Sequence, residues 1–447
     1  MRSLLLSLLL VGRGAYLADF HQLLEEMSSH YANLDSAIVD RKLDLPTLRK
    51  RTEEAIRDSR SDSQARSAIE AFLGAFGDGH VGIDWKPSPP SPGPGAPRPL
   101  CERFGYKSIP PGGIDFARLP EYRAIDDDDA KDFPGGILKL GDRSVGVLRI
   151  RLFTAEIHPE LCAIAAKSIV CDDDCEHHLE LAVDDLATAA LERRAESLRK
   201  AGAAAIVVDL TGNGGGTNWV EPAARVLTPI PLKSPRLGFI RHPHWVKQLR
   251  ERLADVEHDH VESAAATLRE AIAFAETPCG RSGVWNDPPE AGKCTFVNDR
   301  LLFASGLVPY ARRDAPVSVF LPNQYKFHEG ANRLPLLVLV DLRTASAAEL
   351  FAAMMQDNHA ATIVGVPTAG SGCGHTNGGI WATLKNSGAR VSLPDCARFR
   401  ADGTNEVVGV TPDVLVPWGP RDSAYQRAVK ALSAIRSASR ASSGSPF

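Results

Sequence analysis

The sequence predicts an α/β fold built around a largely parallel sheet. From Gly136 onward, short apolar runs of strand length alternate with longer runs of helical periodicity. Apolar strands that alternate with helices are typical of β-α-β units buried on both faces. One helical segment precedes this part of the chain and another interrupts it. We therefore expect an N-terminal helical domain and a helical insertion as well.

The first part of the chain is predicted to be helical. Residues 16–76 carry helical periodicity in three segments, and DLPTLRKRTEEAIRDS and DSQARSAIEAFLGAFG both begin with aspartate, a good helix start. These residues place a helical domain at 1–85. The stretch KPSPPSPGPGAPRP that follows lacks the amide donors and stiffness that a helix or a sheet needs. With the acidic run AIDDDDAKD, it makes 86–135 a predicted linker.

Residues 136–418 are predicted to form the α/β domain. The strand-like runs are GGILKL, SVGVLRIRLF, AAAIVVDL, PVSVFL, PLLVLVD and ATIVGV. The helical runs between them include HLELAVDDLATAALERRAESLRKAG, NWVEPAARVL and SAAELFAAMMQDN. We expect insertions at 155–200 and 229–330, the second of them helical and covering one end of the sheet. Residues 419–447 are predicted to be a C-terminal helix and tail, with the basic, Ser-rich end frayed.

Composition excludes some classes of partner. The chain of 447 residues has 51 basic and 55 acidic side chains, a formal charge of -4, and it is 44% hydrophobic. This balance gives no electrostatic footprint for nucleic acid. No apolar stretch is long enough to span a membrane.

The N-terminal apolar run leaves two interpretations open. Residues 4–12 are too few to cross a bilayer but have the length of a signal-peptide core. Arg13 spoils a small-x-small cleavage pattern, and an amphipathic helix starts at once, so the run also fits a first buried turn. We expect export to the periplasm or the cell exterior slightly more than a cytoplasmic location.

Eight cysteines allow disulfides in an oxidising compartment. Cys279 and Cys294 flank a short loop and are one candidate pair, and Cys373 and Cys396 are another. The segment CDDDCEHH lacks a matching distal pair of ligands, so a solvated acidic loop, with or without a disulfide, is preferred to a zinc site. The cluster RHPHW is interpreted as a structural loop.

Three glycines follow the predicted strand AAAIVVDL. Gly214, Gly215 and Gly216 let the backbone take unusual angles and point its amides at an anion. The spacing fits neither a dinucleotide fingerprint nor a phosphate loop, and a plain tight turn is the alternative. Gly214 and Trp219 are candidate substrate-binding residues, although Trp219 fits the core equally well.

A serine stands where the predicted strand PLLVLVD passes into a helix. Ser346 precedes a helical apolar pattern and Glu349 is three residues on, which is the pattern of a reciprocal capping box. A serine at this junction is also a candidate nucleophile. The segment alone favours the cap, but one residue is able to take both roles.

Two further side chains are candidates for proton transfer. His80 follows the turn formed by Gly77, Asp78 and Gly79, and imidazole titrates near neutral pH, as a general base should. A helix C-terminal residue that meets the dipole is the alternative. Glu406, in NEVVGVTPDVLV, precedes a turn and a strand, where surface carboxylates are also common.

Taken in this order, the GDGH turn, the DLxGNGGG turn, the TASAAE helix and the ExxGVTPD element resemble the tail-specific (C-terminal processing) serine peptidase family. The resemblance covers most of the chain, as far as Asp413. It implies a core similar to the Clp protease and crotonase folds, with Ser346 as the nucleophile. The amides of Ala347 and Gly215 would form the oxyanion hole, because preorganised backbone donors stabilise an oxyanion. No metal or other cofactor is expected.

The base implied by the resemblance is a histidine. Many members use a lysine from a glycine-rich turn after the next strand, but here that turn reads PTAGSGCGHTNGG and the matching residue is Ser371. His80 matches the base, and Glu406 the carboxylate, of the tricorn-like members. His375 is the rival base. Because no PDZ-like segment follows His80, the chain is closer to the tricorn-core and interphotoreceptor retinoid-binding protein-like branch.

The sequence therefore predicts a serine peptidase that acts on peptides or proteins through an acyl-enzyme. One alternative is a non-catalytic module of the same fold that binds peptides or hydrophobic ligands. Another is an acyl-CoA enzyme of crotonase type. The intact serine, histidine and glutamate set favours the peptidase over the binding module, and the serine at a strand–helix junction argues against the crotonase chemistry.

Overall fold

The fold was analysed in a computed structural model. It divides into two compact units, each assembled from separated stretches of chain: unit 1 comprises 1–91, 237–302 and 373–398, and unit 2 comprises 92–236, 303–372 and 399–447. The residues that the structure describes are 12–86, 99–110, 112–171, 175–241, 243–258, 260, 262–277, 282–288, 308–309, 325–375 and 380–441.

The secondary structure alternates as the sequence predicts. The α-helices are α1 Arg13–His30, α2 Leu34–Val39, α3 Leu45–Asp58, α4 Asp62–Gly74, α5 Leu100–Arg103, α6 Pro159–Ala165, α7 Cys175–Lys200, α8 Val220–Leu227, α9 Pro243–His258, α10 Glu262–Ala275, α11 Ala347–Asp357 and α12 Ala424–Ala441. The strands are β1 Gly82–Asp84, β2 Tyr122–Ala124, β3 Gly135–Lys139, β4 Ser144–Arg149, β5 Ile206–Asp209, β6 Lys233–Ser234, β7 Arg236–Phe239, β8 Val308–Pro309, β9 Leu336–Val340, β10 Ala361–Gly365, β11 Ile380–Thr383, β12 Arg390–Leu393, β13 Cys396–Phe399 and β14 Val414–Leu415. Short 3-10 helices lie at Phe116–Arg118, Ala155–Ile157, Ser282–Trp285 and Glu406–Val408.

Unit 2 is built on a seven-stranded sheet of order β14-β10-β9-β5-β4-β3-β2. Strands β4, β5, β9, β10 and β14 run parallel, and β3 and β2 extend the sheet with antiparallel pairing. The predicted α/β fold class with a Clp protease-like core is thus confirmed. The predicted strand PVSVFL lies outside the described residues.

Alternate residues of the central strands enter two different cores, as the period of two in a strand requires. Ile206 and Val208 of β5 pack with α7, α8 and α11. Val207, between them, packs with α12 on the opposite face. The sheet is therefore covered by helices on both faces.

The C-terminal helix is longer than the sequence pattern suggests. The basic, Ser-rich end was expected to fray from Lys430, but α12 continues to Ala441. Ala431, Leu432 and Ile435 are buried in the core beneath the sheet. Their spacing of three and four residues gives α12 an apolar stripe that fixes it to the protein.

Part of the predicted linker is structured. Tyr122–Ala124 forms β2 and pairs with β3, so the segment that carries the acidic run begins as an edge strand of the sheet. Asp127 and Asp129 of that run bind Arg194 and Arg193 of α7. Such long-range ion pairs are not visible in the sequence.

Unit 1 combines helices with a small antiparallel sheet of order β1-β12-β11. Residues of α1, α3 and α4 share one core with β12 and with Trp285. The indole N–H of Trp285 donates to the hydroxyl of Ser28 at 2.6 Å. The predicted helices of the 229–330 insertion are present as α9 and α10, and these two helices belong to the same unit as the N-terminal helices.

Three disulfides occur among the described cysteines: Cys101–Cys162, Cys171–Cys175 and Cys373–Cys396. The last is a pair that the sequence suggested. Cys171 and Cys175 belong to the acidic CDDDCEHH segment and are bonded to each other. Cys279 and Cys294 lie outside the described residues. Within the described ranges, no helix is both long enough and apolar enough to cross a bilayer.

Asp184 of α7 is a buried carboxyl group. It is 0% exposed, and neither of its carboxyl oxygens has a hydrogen-bond partner among the residues that the structure describes. Burial, and then the charges of Glu180 and Asp185, raise the pKa of Asp184 well above its usual value. The folded state therefore holds the proton more tightly than the unfolded state does. Stability then falls as the pH rises from the usual pKa toward the raised one, by about 1.4 kcal/mol for each pH unit.

We expect Asp184→Asn to stabilise the protein at alkaline pH. The amide carries no charge, so it removes the penalty that the wild type incurs once Asp184 ionises. Between about pH 5 and about pH 8, the thermal midpoint of the wild type should fall, and that of the variant should fall less. Asp185→Asn is the comparison, because it removes only the smallest of the three causes of the shift, along with the ion pair to Lys326, so most of the pH slope should remain. Equal pH slopes for wild type and Asp184→Asn would contradict the expectation.

Candidate active site

Ser346 lies at a strained elbow between β9 and α11. Its φ is +54° and its ψ is -117°, values that a non-glycine residue rarely adopts. Such a conformation costs on the order of 1–3 kcal/mol and persists only where the surroundings hold it. A serine on a sharp strand-to-helix turn, half-buried at the end of a sheet, presents its hydroxyl as a nucleophile would.

Glu349 holds this elbow. The sequence predicts a capping box between Ser346 and Glu349. One of its hydrogen bonds is formed by the Ser346 main-chain N–H, which donates to the Glu349 carboxylate at 3.0 Å. The carboxylate also accepts from the hydroxyl of Thr368 and from the N–H groups of Gly370, Ser371 and Gly372, at 2.6 to 3.2 Å. Glu349 is 0% exposed, so five donors surround one buried carboxylate.

The same turn leads to Glu406. The Thr368 hydroxyl that donates to Glu349 accepts the Val410 N–H at 2.8 Å. A Cβ added to Gly372 would lie 2.9 Å from the Val407 nitrogen, so the turn packs closely on the 3-10 helix that carries Glu406. Glu406 itself is 0% exposed, not a surface carboxylate. In unit 2, hydrogen bonds thus link the serine elbow to the turn of residues 368–372, and this turn packs on the segment that carries Glu406.

The glycine turn after β5 is fixed to the Ser346 segment. The Ala345 N–H donates to the Asn213 carbonyl at 3.0 Å, and the Gly212 N–H donates to Asp341 at 2.8 Å. Asp209 at the start of the turn forms a buried ion pair with Arg149 at 3.0 Å. The two hydrogen bonds hold the glycine turn after β5 against the segment that leads to Ser346.

Gly215 faces Ser346 directly. A Cβ built on Gly215 would lie 2.7 Å from the Ser346 Cβ and 2.9 Å from the Ala347 nitrogen. Ala347 is the first residue of α11, where an amide has no acceptor within the helix, so it is suited to bind an oxyanion. The Gly215 N–H, however, donates to the Asn213 side chain at 2.8 Å. The second predicted oxyanion donor is thus engaged in this conformation.

We expect Gly215→Ala to lower activity by about 100-fold or more, because the methyl group would displace the Ser346 side chain and the Ala347 amide from their positions. The positive φ of Gly215, +109°, adds backbone strain. Gly214→Ala is a matched control, since a Cβ there meets nothing within 4 Å. The measurement is the rate of labelling by a fluorophosphonate. Equal rates in the two variants would contradict the expectation.

Trp219 is part of the core. The sequence left open whether it lines a substrate cleft, but the residue is 0% exposed and its indole N–H donates to Thr188 at 2.8 Å. Its ring packs against Phe133 and Phe153. The substrate-binding assignment of Trp219 is therefore wrong, because a fully buried ring cannot contact a peptide. Gly214 is exposed.

His80 and His375 belong to unit 1, whereas Ser346, Glu406, Gly215 and Ala347 belong to unit 2. The two imidazole rings lie 5.7 Å apart, edge to face. Withdrawal of the His375 ring from water, and then the neighbouring His80, lower the pKa of His375. The His375 ring stacks on Trp381, with the ring centroids 6.1 Å apart.

Sequence reasoning missed the hydrogen-bonding roles of several residues. It assigned Glu349 only as a cap, and the turn of residues 368–372 that Glu349 binds is close in space but not in sequence. It gave Asn213, within the DLxGNGGG motif, no role, yet the Asn213 side chain holds the Gly215 amide. The motif itself was the signal available for Asn213, since a polar residue between glycines is often a backbone ligand.

Comparison with known proteins identifies a matching family segment and a similar fold. Residues 291–416 match the model of Peptidase family S41. This segment includes Ser346, Glu349 and Glu406. Among solved structures, the fold is similar to that of a serine-to-alanine variant of CPAF, with 15% identity, a TM-score of 0.57 and coverage of 97% of this chain and 99% of that one. Mature CPAF complexed with lactacystin is similar at 16% identity, with a TM-score of 0.55 and coverage of 95% and 98%.

These likenesses concern different properties of the chain. The similarity to CPAF, at low identity, concerns the fold. The family match concerns the stretch from before β9 to β14, where the serine elbow lies, and it confirms the resemblance to the tail-specific serine peptidases. The chain therefore contains a segment that matches Peptidase family S41, and the function that this match supports is that of a serine-type peptidase.

Proposed function

We propose that the protein hydrolyses peptide bonds through an acyl-enzyme formed on Ser346. The observation that carries the proposal is the elbow of Ser346, whose strained backbone is held by the buried carboxylate of Glu349. Strain of this kind is retained at functional sites, and a helix cap alone does not require it. In the first step the serine oxygen attacks the scissile carbonyl carbon, and the amine leaves with a proton.

His80 is the base in this proposal. It takes the proton from the Ser346 hydroxyl and returns it to the leaving amine, and water then repeats the cycle on the acyl-enzyme. The support is the resemblance of the GDGH turn to the tricorn-like base and the absence of a lysine at the Ser371 position. Glu406 is proposed as the carboxylate of the set, and its complete burial agrees with a positioning role.

The oxyanion would be bound first by the Ala347 amide. This donor lies at the N-terminus of α11, where the helix dipole also favours negative charge. Gly215 is proposed as the second donor, which requires its amide to exchange the Asn213 oxygen for the oxyanion. Glycine permits such a rotation of the peptide plane because it lacks a side chain.

The proposed function is tested by hydrolysis of a library of quenched fluorescent peptides. The full-length protein should cleave members of the library, with cleavage sites read by mass spectrometry. His80→Ala should abolish turnover without unfolding the protein, whereas His375→Ala should retain a measurable rate. If His375→Ala were inactive while His80→Ala remained active, the base assignment would be wrong. A folded protein that bound peptides without cleaving any would favour the binding module.

We also propose that the protein acts in an oxidising compartment. Three disulfides among the described cysteines agree with that environment. Mild reduction should lower the thermal midpoint of the wild type. It should leave the thermal midpoint of a folded cysteine-free variant unchanged. Free thiols on all of these cysteines in protein taken from its native source would contradict the proposal.

A further inference from the structure

Asp78 stands two residues before His80 and is held by two donors from another part of unit 1. Its Oδ2 accepts the hydroxyl of Tyr31 at 3.0 Å and the side-chain N–H of Asn33 at 2.9 Å. The side chain of Asp78 is 0% exposed, and Tyr31 and Asn33 are both 1% exposed. A carboxylate fixed through one oxygen in this way cannot rotate freely.

The other oxygen of Asp78 is directed at His80. Oδ1 accepts the His80 main-chain N–H at 3.0 Å and lies 3.7 Å from Nδ1 of the ring. The second distance is that of an ion pair and is longer than a hydrogen bond, which is common for catalytic groups without substrate. A small rotation of the ring would bring Nδ1–H into hydrogen-bond range.

The remaining contacts of His80 also hold it in place. The Ser392 hydroxyl donates to its carbonyl at 3.0 Å. A Cβ built on Gly374 would lie 2.4 Å from both Nε2 and Cδ2, so the ring edge rests on a main chain that has no side chain at that point. Among the described residues, the charged or titratable groups around the turn include Asp78, Tyr31, His375 and Arg41, whose guanidinium donates to the Phe76 carbonyl.

We propose that Asp78 is the positioning residue that keeps the proton of the neutral His80 ring on Nδ1 and stabilises the imidazolium formed during the reaction. Nε2 then carries the lone pair that accepts the serine proton. The inference rests on the proposed function in one respect, namely that His80 is the base. It adds a carboxylate of unit 1 to the Glu406 of unit 2 assigned above, so that unit 1 contains one of the groups that orient the base.

The chemistry follows from the hydrogen-bonding capacity of the two groups. Neutral imidazole has one N–H and one acceptor nitrogen, and the group that faces one nitrogen decides which nitrogen carries the proton. An ionised carboxylate only accepts, so Asp78 selects Nδ1–H. An asparagine at this position is able to turn its amide N–H toward the ring and so select the other tautomer. In serine protease triads, the same replacement of aspartate by asparagine gives the wrong tautomer and a large loss of activity.

The test uses full-length protein labelled with ¹⁵N in its histidine rings. Two-bond proton–nitrogen spectra distinguish the two tautomers, and the loss of one spin system in His80→Gln assigns the His80 signals. The neutral ring should carry its proton on Nδ1 in the wild type, and Asp78→Asn should move population toward Nε2–H. On a cleaved peptide, kcat should fall by about 100-fold to 10,000-fold while KM changes by less than about threefold.

A matched control separates positioning from folding. Asp19 is also a buried carboxylate of unit 1, and it accepts N–H groups of Asn386 and Ser387. Asp19→Asn should lower the thermal midpoint without changing the His80 tautomer or kcat. Asp78→Glu keeps the charge and should recover part of the kcat lost in Asp78→Asn.

The outcomes separate this inference from the proposed function. Active, folded Asp78→Asn with Nδ1 still protonated would overturn the inference, and so would a wild-type spectrum with Nε2–H, which needs no variant to fold. If His80→Ala kept its turnover, the proposed base would be wrong, yet a tautomer change in Asp78→Asn would still establish that Asp78 positions the ring.

Discussion

Ser346→Ala is expected to lower peptide turnover by about 10⁶-fold, the loss that follows removal of a serine nucleophile in an enzyme of this chemistry. The alanine has no hydroxyl to attack the carbonyl carbon, so no acyl-enzyme forms. Residual hydrolysis should come only from the amide donors and from substrate binding. Initial rates on a cleaved peptide, together with active-site titration, measure the effect.

Stability should change in the opposite direction. Glu349 binds the main-chain N–H of residue 346, which alanine retains, so the elbow stays in place. Strained active sites are often less stable than their inactive variants, and we expect Ser346→Ala to unfold at the same temperature or higher. Ser371→Ala is the control, because it removes a nearby serine hydroxyl but keeps the main-chain N–H that donates to Glu349. Turnover by Ser346→Ala within about tenfold of the wild type would exclude Ser346 as the nucleophile.

Glu349→Gln is expected to lower activity by about 100-fold or more and to destabilise unit 2. The carboxylate accepts from five donors, whereas a glutamine offers one oxygen and places an NH₂ group against at least two of them. A buried donor left without an acceptor costs about 1–3 kcal/mol. The Ser346 amide would be released, and the strained elbow would relax away from the reactive conformation.

Glu221→Gln makes this experiment specific. Glu221 is also buried in unit 2 and forms an ion pair with the buried Arg225, so Glu221→Gln removes a buried counter-charge. We expect Glu221→Gln to lower the thermal midpoint but to keep the rate of fluorophosphonate labelling. Glu349→Gln should lower both. If the two variants lost stability and labelling in the same proportion, Glu349 would have no role beyond folding.

The sheet was predictable because its strands have a distinctive composition. Runs such as PLLVLVD are buried on both faces, so they contain apolar residues at nearly every position, and the helices between them carry the 3.6-residue period. The serine elbow was predictable for a similar reason, since a strand, a serine and a helix are adjacent in sequence. The family match over residues 291–416 agrees with that interpretation.

The rest depends on contacts between distant residues. The pairing of β1 with β12 joins residue 82 to residue 392, and nothing local in either strand specifies the other. Glu349 was predicted as a cap, because the donors of residues 368–372 come from a later turn. Trp219 was ambiguous because a single aromatic residue after a turn has no periodicity that assigns it to a face.

The central claim is that Ser346 carries the acyl group, and the most direct measurement is to locate a covalent adduct. The wild-type protein is treated with a fluorophosphonate and digested with trypsin, and the peptide that begins at Thr344 is fragmented by mass spectrometry. We expect one added phosphonyl group on Ser346, with none on Thr344 or Ser371. An adduct on another residue, or complete loss of peptide hydrolysis while Ser346 stays unmodified, would contradict the assignment of Ser346 as the nucleophile.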